Sequence, residues 1–166
     1  MPKIINVPIS LQINLSNHGL AFPVSNTYLL NVVEEESELY ETTALNEIYS
    51  TPLGETFQEL LFKYIDKSGM DDINVYKSAF IDRKLFSKIR SNKNYHPSFG
   101  TVTLLSLAMK LDLEHYIRLL ASAFYSLPGN TYVGITLRYC FSNRIYDVIK
   151  ANNLVFTVAG KEIKDL

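Results

Sequence analysis

The sequence predicts a mainly α-helical protein that carries a β-hairpin at its N-terminus. Three observations predict it. Residues 5–15 alternate without a break: Ile5, Val7, Ile9, Leu11, Ile13 and Leu15 are apolar, and the positions between them are polar or proline. From Glu55 onward the period changes, and Phe57, Leu60, Leu61, Tyr64 and Ile65 recur at the i, i+3, i+4, i+7 spacing of an amphipathic helix. Between the two lie Ser50, Thr51, Pro52 and Gly54, a break that marks a domain boundary.

The bulk numbers set the outer bounds. At 166 residues with 47% hydrophobic and 20% charged side chains, the chain is long enough to bury a core without disulfides or metals. No run approaches the roughly eighteen apolar residues of a membrane span, so no membrane partner is expected. Residues 1–6, Met-Pro-Lys-Ile-Ile-Asn, lack the basic region and apolar run of a secretory signal, and none is expected. The single cysteine, Cys140, rules out an intrachain disulfide and fits a reducing cytoplasm; its apolar neighbours predict a buried small hydrophobe. The net charge of −1 conceals an asymmetry. Residues 1–54 hold Lys3 against six glutamates, net −5, whereas residues 55–166 hold fifteen basic and eleven acidic side chains, net +4. Such segregation suggests regions with different partners.

Along the chain, Pro8 places the first strand at an edge or a bulge because it donates no ladder hydrogen bond. Asn17, His18 and Gly19 break it, and residues 27–33 offer the second strand. Two strands alone are marginal in water. The hairpin is therefore expected to lie on the helical domain, to gain a third strand from residues 154–158, or to pair with a second copy of the chain. Glu34, Glu35, Glu36, Glu38 and Glu41 read as a solvated linker or helix start, or as a site for basic groups.

After the first helix, Gly69 supplies a stop. Asp71 or Asp72 caps a second, short helix with Ile73, Tyr76 and Ala79 inward, and Asp82 caps a third with Leu85, Phe86 and Ile89 inward. Asn92 is expected to end that helix in a left-handed conformation. Ser98 starts an apolar helix containing Val102, Leu105, Leu107 and Met109. Asp112 starts another, with Leu113, Tyr116, Ile117, Leu120 and Phe124 on one side. Pro128, Gly129 and Asn130 break the chain before two more helices near 131–141 and 144–151; residues from Leu154 fit helix or strand.

Two short helices joined by a tight turn and followed by two apolar helices form a suggestive order. Residues 60–120 resemble the Xre-type, lambda-repressor-like helix-turn-helix family over a little over a third of the chain. Residues 71–80 fall on its first motif helix, and 83–92, Arg-Lys-Leu-Phe-Ser-Lys-Ile-Arg-Ser-Asn, on its recognition helix. Pro97-Ser98, Thr101-Val102-Thr103-Leu104-Leu105 and Ala108-Met109-Lys110-Leu111 match the helix after the motif, and 113–120 the closing helix. The phrase at 81–92 also resembles helix-turn-helix modules fused behind macro domains in bacterial ADP-ribose-processing proteins, with the likeness running from about Glu55 to Leu166. Fifty-four residues cannot hold a macro domain, so no ADP-ribose chemistry carries over.

The resemblance implies a division into a hairpin and acidic linker (1–54, a dimerisation or docking segment), a helix-turn-helix core (55–127) and a C-terminal helical extension (128–166). It also implies a cytoplasmic bacterial DNA-binding regulator acting as a homodimer on double-stranded DNA. Arg83, Lys84, Lys88, Arg90 and Lys93 place five positive charges within eleven residues. Arg83, Lys84 and Ser87 would face base edges, and Lys88, Lys93 and Tyr95 phosphates, with Arg90 completing the basic face. The alternative is a protein-interaction or adaptor module of a phage-defence or stress system that uses the same fold. Asp71 and Asp72 count against DNA, because carboxylates at a helix start suit its dipole but repel phosphate.

No enzyme is expected. His18, His96 and His115 have no cysteine partner at metal-ligand spacing, so no metal and no cofactor are predicted. The seven glycines are isolated, with neither a phosphate-binding loop nor a dinucleotide fingerprint, and no nucleophile elbow frames a serine.

Overall fold

A computed structural model describes residues 26–166. The chain divides into two units at Pro52 and Leu53. The strand expected over 5–15, with His18 and Gly19 after it, lies outside the described residues.

The first unit contributes α1, Asn26–Ser50. The second strand expected over 27–33 is therefore helix. A seven-residue run rich in valine and leucine is ambiguous by itself. It leads without glycine or proline into the glutamates, leucines and alanine of 34–45, which are good helix formers, and propagation is cooperative. The acidic run is thus helical rather than an extended linker. Near its end the hydroxyls of Ser50 and Thr51 both donate to the Glu47 carbonyl, at 3.0 and 2.8 Å, and Pro52 follows. Leu39, Tyr40, Ile48 and Tyr49 on this helix are exposed.

The second unit contains α2 (Phe57–Ser68), α3 (Asp72–Ser78), α4 (Arg83–Ser91), α5 (Phe99–Ala108), α6 (Leu113–Ser122), α7 (Tyr132–Ser142) and α8 (Val148–Ala159), then a 3₁₀ turn at Ile163–Asp165. Among the described residues there is no strand, so neither the hairpin's second strand nor a third strand at 154–158 forms; the latter residues belong to α8. Each of the seven helices has a side-chain cap where its first amides lack partners. Thr56 and Glu59 make a reciprocal capping box on α2. Asp71, Asp82, Ser98, Asp112, Thr131 and Asp147 cap the others.

Helix α5 is apolar all round, and such a helix belongs in the interior. Residues 100–109 are all buried, and α3, α6, α8 and the 3₁₀ turn pack around it. Each fully buried leucine there contributes about 2 kcal/mol. Its polar side chains are satisfied: the Thr103 hydroxyl donates to Phe99 O (2.9 Å) and pairs with Tyr116 Oη (2.9 Å), and Ser106 donates to Val102 O (2.8 Å). Tyr116 stacks on Phe141 with ring centroids 3.9 Å apart, which joins α6 to α7. The end of the chain closes the bundle: Ile163 N–H donates to Asn152 Oδ1 and Gly100 N–H to Leu166 O.

Several inward-facing assignments change. Ile73 is 51% exposed while Val75 is fully buried, because α3 meets α5 through Val75 and Ala79, one turn apart. Ile117 and Phe124 face out and Leu119 faces in. The last helix starts at Val148, later than expected, because Asp147 caps it. Asn92 is extended (φ −112°, ψ 103°), not left-handed. Among the described residues the non-glycine left-handed positions are instead Phe80, Lys110, Phe124 and Arg144, each one residue before an amide that bonds back to the helix: Ile81 to Tyr76, Leu111 to Ser106, Tyr125 to Leu120 and Ile145 to Cys140. One Schellman-type closure thus serves four helix ends.

Candidate nucleic-acid interface

Helix α4 carries the basic residues, and three attachments fix its orientation. Its inner face buries Phe86 and Ile89, with Leu85 half-buried. Phe86 meets Phe62 of α2 edge-on at 6.3 Å and Tyr76 of α3 at 5.8 Å. The Gln58 side chain donates to the carbonyls of Ile89 (2.9 Å) and Arg90 (2.5 Å), satisfying groups that α4 leaves open at its C-terminal end.

The outer face presents Arg83, Lys84, Ser87 and Lys88, all exposed. Among the described residues Arg83 and Lys84 have no ion-pair partner. At the start of the helix Asp82 Oδ1 accepts the Lys84 amide at 2.6 Å. The Lys88 ammonium lies 4.9 Å from the centroid of the half-buried Tyr95 ring, a cation–π contact that holds both residues at one edge of the face.

Arg90 is placed differently from the rest of the predicted set. Its Nη2 lies 2.6 Å from Asp72 Oδ1, and its guanidinium carbon sits 4.2 Å from the Phe62 ring centroid. It is tied back across α3 and α2. Lys93 is exposed in the loop after α4, close enough to Glu59 to help hold that carboxyl below its ordinary pKa; the larger causes are hydrogen bonds from the Thr56 backbone and side chain. Asn92 Oδ1 accepts the Asn94 amide at 3.0 Å, a local turn that carries the chain to Tyr95.

The structure therefore groups Arg83, Lys84, Ser87 and Lys88 on one helix face with Tyr95 at its edge, leaves Lys93 beside Glu59, and withdraws Arg90. Gln58, Phe62 and Asp72, which position α4, were not recognisable beforehand: they lie 18 to 32 residues from their partners or touch them only through a ring. The Asp72 carboxylate expected to repel phosphate is neutralised by Arg90, while Asp71 accepts the Asn74 amide at 2.7 Å.

Elsewhere both described histidines have a contact within the fold. His115 Nδ1 lies 2.7 Å from Asp112 Oδ1, and its ring meets Tyr64 edge-on. His96 stacks near Phe124. Cys140 is buried, and burial pushes its thiol pKa up, away from the reactive thiolate. Among the described residues no group of three His, Cys, Asp or Glu side chains could hold a metal, and no helix is long and apolar enough to cross a membrane. Compared with protein-family models, curated proteins and solved structures, the chain has no match.

Proposed function

We propose that residues 55–127 form a lambda-repressor-like helix-turn-helix core and that the protein is a cytoplasmic bacterial DNA-binding regulator, not an enzyme. The observation that carries this reading is the outer face of α4: four exposed polar side chains, three of them cations without ion-pair partners among the described residues, on a helix capped at its start and tied to α2 at its end. In the major groove Arg83 and Lys84 would bond guanine O6 and N7, Ser87 would reach a neighbouring base edge, and Lys88 and Lys93 would neutralise phosphates. Arg90 holds the helix instead of touching DNA. The protein acts as a homodimer, so that two recognition helices reach half-sites about one helical turn apart. Selection of bound duplexes from a random pool tests this: enrichment of a two-fold site with half-sites about 10 base pairs apart is expected, and recovery of the unselected pool overturns sequence-specific recognition.

A second reading, a protein-interaction or adaptor module of a phage-defence or stress system, is favoured by a separate observation. Tyr132, Ile135 and Tyr139 form an exposed row along α7, 70%, 53% and 56% accessible. Contiguous exposed apolar surface of this kind marks interaction sites. The two readings diverge on whether the chain binds a duplex at low salt.

A further inference from the structure

A groove unrelated to the outer face of α4 runs between the α3–α4 turn, the end of α5 and the start of α8. One cleft of about 410 Å³ has Met70, Phe80, Lys110, Tyr146 and Ile149 in its walls. A second, of about 660 Å³, shares Tyr146 and Asp147 with the first and adds Arg144 and Lys150. Phe80 and Ile149 are 68% and 58% exposed, so the apolar part of the groove is open to water. Lys110, Arg144 and Lys150 are exposed and have no ion-pair partner among the described residues. The carboxylate in the walls, Asp147, accepts the Lys150 amide as the α8 cap.

The backbone marks the same surface independently. Phe80 (φ 53°), Lys110 (φ 53°) and Arg144 (φ 56°) are three of the four non-glycine residues in the left-handed region among those described. At the equivalent ends of α2 and α8 the chain uses Gly69 (φ 68°) and Gly160 (φ 66°). A side chain in this conformation is disfavoured relative to glycine. The groove therefore holds one aromatic ring and two cations at positions where glycine would suit the backbone better.

We propose that this groove docks an acidic amphipathic segment of a protein partner. The occupant follows from charge complementarity. Apolar walls flanked by Lys110, Arg144 and Lys150, with a single and already engaged carboxylate, suit a helix that presents apolar residues on one stripe and glutamate or aspartate beside it. A basic segment is repelled, and a nucleic-acid backbone gains nothing from Phe80 and Ile149. The inference rests on neither reading of α4.

The test is a titration of the full chain, followed by NMR, with a synthetic helical peptide of leucine and glutamate at amphipathic spacing, and in parallel with the same peptide carrying lysine for glutamate. The acidic peptide is expected to shift the resonances of Phe80, Lys110, Tyr146 and Ile149, and the lysine peptide to leave them in place. Lys110→Glu with Lys150→Glu is expected to weaken binding by at least about tenfold. Phe80→Gly separates docking from folding: it relieves the left-handed strain, so the thermal midpoint holds or rises while peptide affinity falls. The proposal is overturned if the acidic peptide produces no shifts, if both peptides bind alike, or if Phe80→Gly leaves affinity unchanged. Shifts of the same residues with protein concentration alone would assign the groove to a second copy of the chain instead.

Discussion

Arg90 and Asp72, eighteen residues apart in sequence, meet at 2.6 Å, with the guanidinium resting on the Phe62 ring. The pair links α3 to α4 and turns the last arginine of the basic face into a brace. Arg90→Ala is expected to destabilise the fold by about 1 kcal/mol, from a partly exposed ion pair and a cation–π contact. Arg83→Ala, which removes no such partner, is expected to change stability by less than about 0.5 kcal/mol. Urea denaturation of the two variants compares them, and equal losses would remove the distinction between the brace and the open basic face.

Thr103 and Tyr116 make an asymmetric pair. The Thr103 hydroxyl hydrogen goes to Phe99 O, so the Tyr116 phenol donates to Thr103 Oγ1. Burial pushes the Tyr116 pKa well above that of an exposed phenol and keeps it a donor. Tyr116→Phe leaves Thr103 satisfied and is expected to cost about 1 kcal/mol, whereas Thr103→Val strands a buried phenol and costs about 1–3 kcal/mol. The order of the two denaturation midpoints decides the point.

Gly100 and Gly134 sit where a Cβ would run into backbone carbonyls, of Ile163 and Pro128 respectively. Alanine at either position is expected to cost about 1–3 kcal/mol through forced backbone movement. Gly54→Ala, which would meet nothing, serves as the control. A Gly100→Ala variant of unchanged stability would contradict the close seating of the chain end on α5.

Phe124 is 89% exposed at φ 61°. Its replacement by glycine loses little burial and relieves the left-handed conformation, for an expected gain of about 1 kcal/mol. Differential scanning calorimetry reads this as a raised midpoint; a lowered one would show that the His96–Phe124 stack outweighs the strain.

Asp112 and Glu55 give the acid limb of the stability curve. Hydrogen bonds from the His115 backbone and ring hold the Asp112 pKa below the ordinary carboxylate value, and Lys63, then Arg118, lower that of Glu55. A carboxyl depressed in the folded state contributes stability above its unfolded pKa and loses it as pH falls through the folded one. Asp112→Asn and Glu55→Gln should therefore lower the thermal midpoint at neutral pH, and the gap to the parent protein should close on acidification below about pH 4. A gap independent of pH would assign the effect to packing.

Local signals were legible in the sequence, and long-range ones were not. The caps Asp82, Ser98 and Asp112 bond amides two or three residues ahead, so residue type and spacing suffice to find them. The inner face of α2 is legible in the sequence, because its five buried apolar residues keep a strict helical period. Residues 27–33 misled because a short apolar run carries no period that separates strand from helix. The left-handed ends at Phe80, Lys110, Phe124 and Arg144 leave no mark in the sequence, because glycine and asparagine are the residues that favour this conformation. Within the basic face, charge alone did not separate Arg83 from Arg90: the Asp72 and Phe62 contacts that withdraw Arg90 exist only once α2, α3 and α4 are packed together.

The central claim, that the outer face of α4 meets DNA, is tested most directly by fluorescence anisotropy of a labelled duplex across a salt series. The parent chain is compared with a variant carrying Arg83→Ala, Lys84→Ala and Lys88→Ala. Binding should weaken with salt, and the logarithmic slope should be shallower in the variant by about one for each phosphate contact removed. Absence of binding at low salt, or the same affinity and slope in both proteins, would contradict the account.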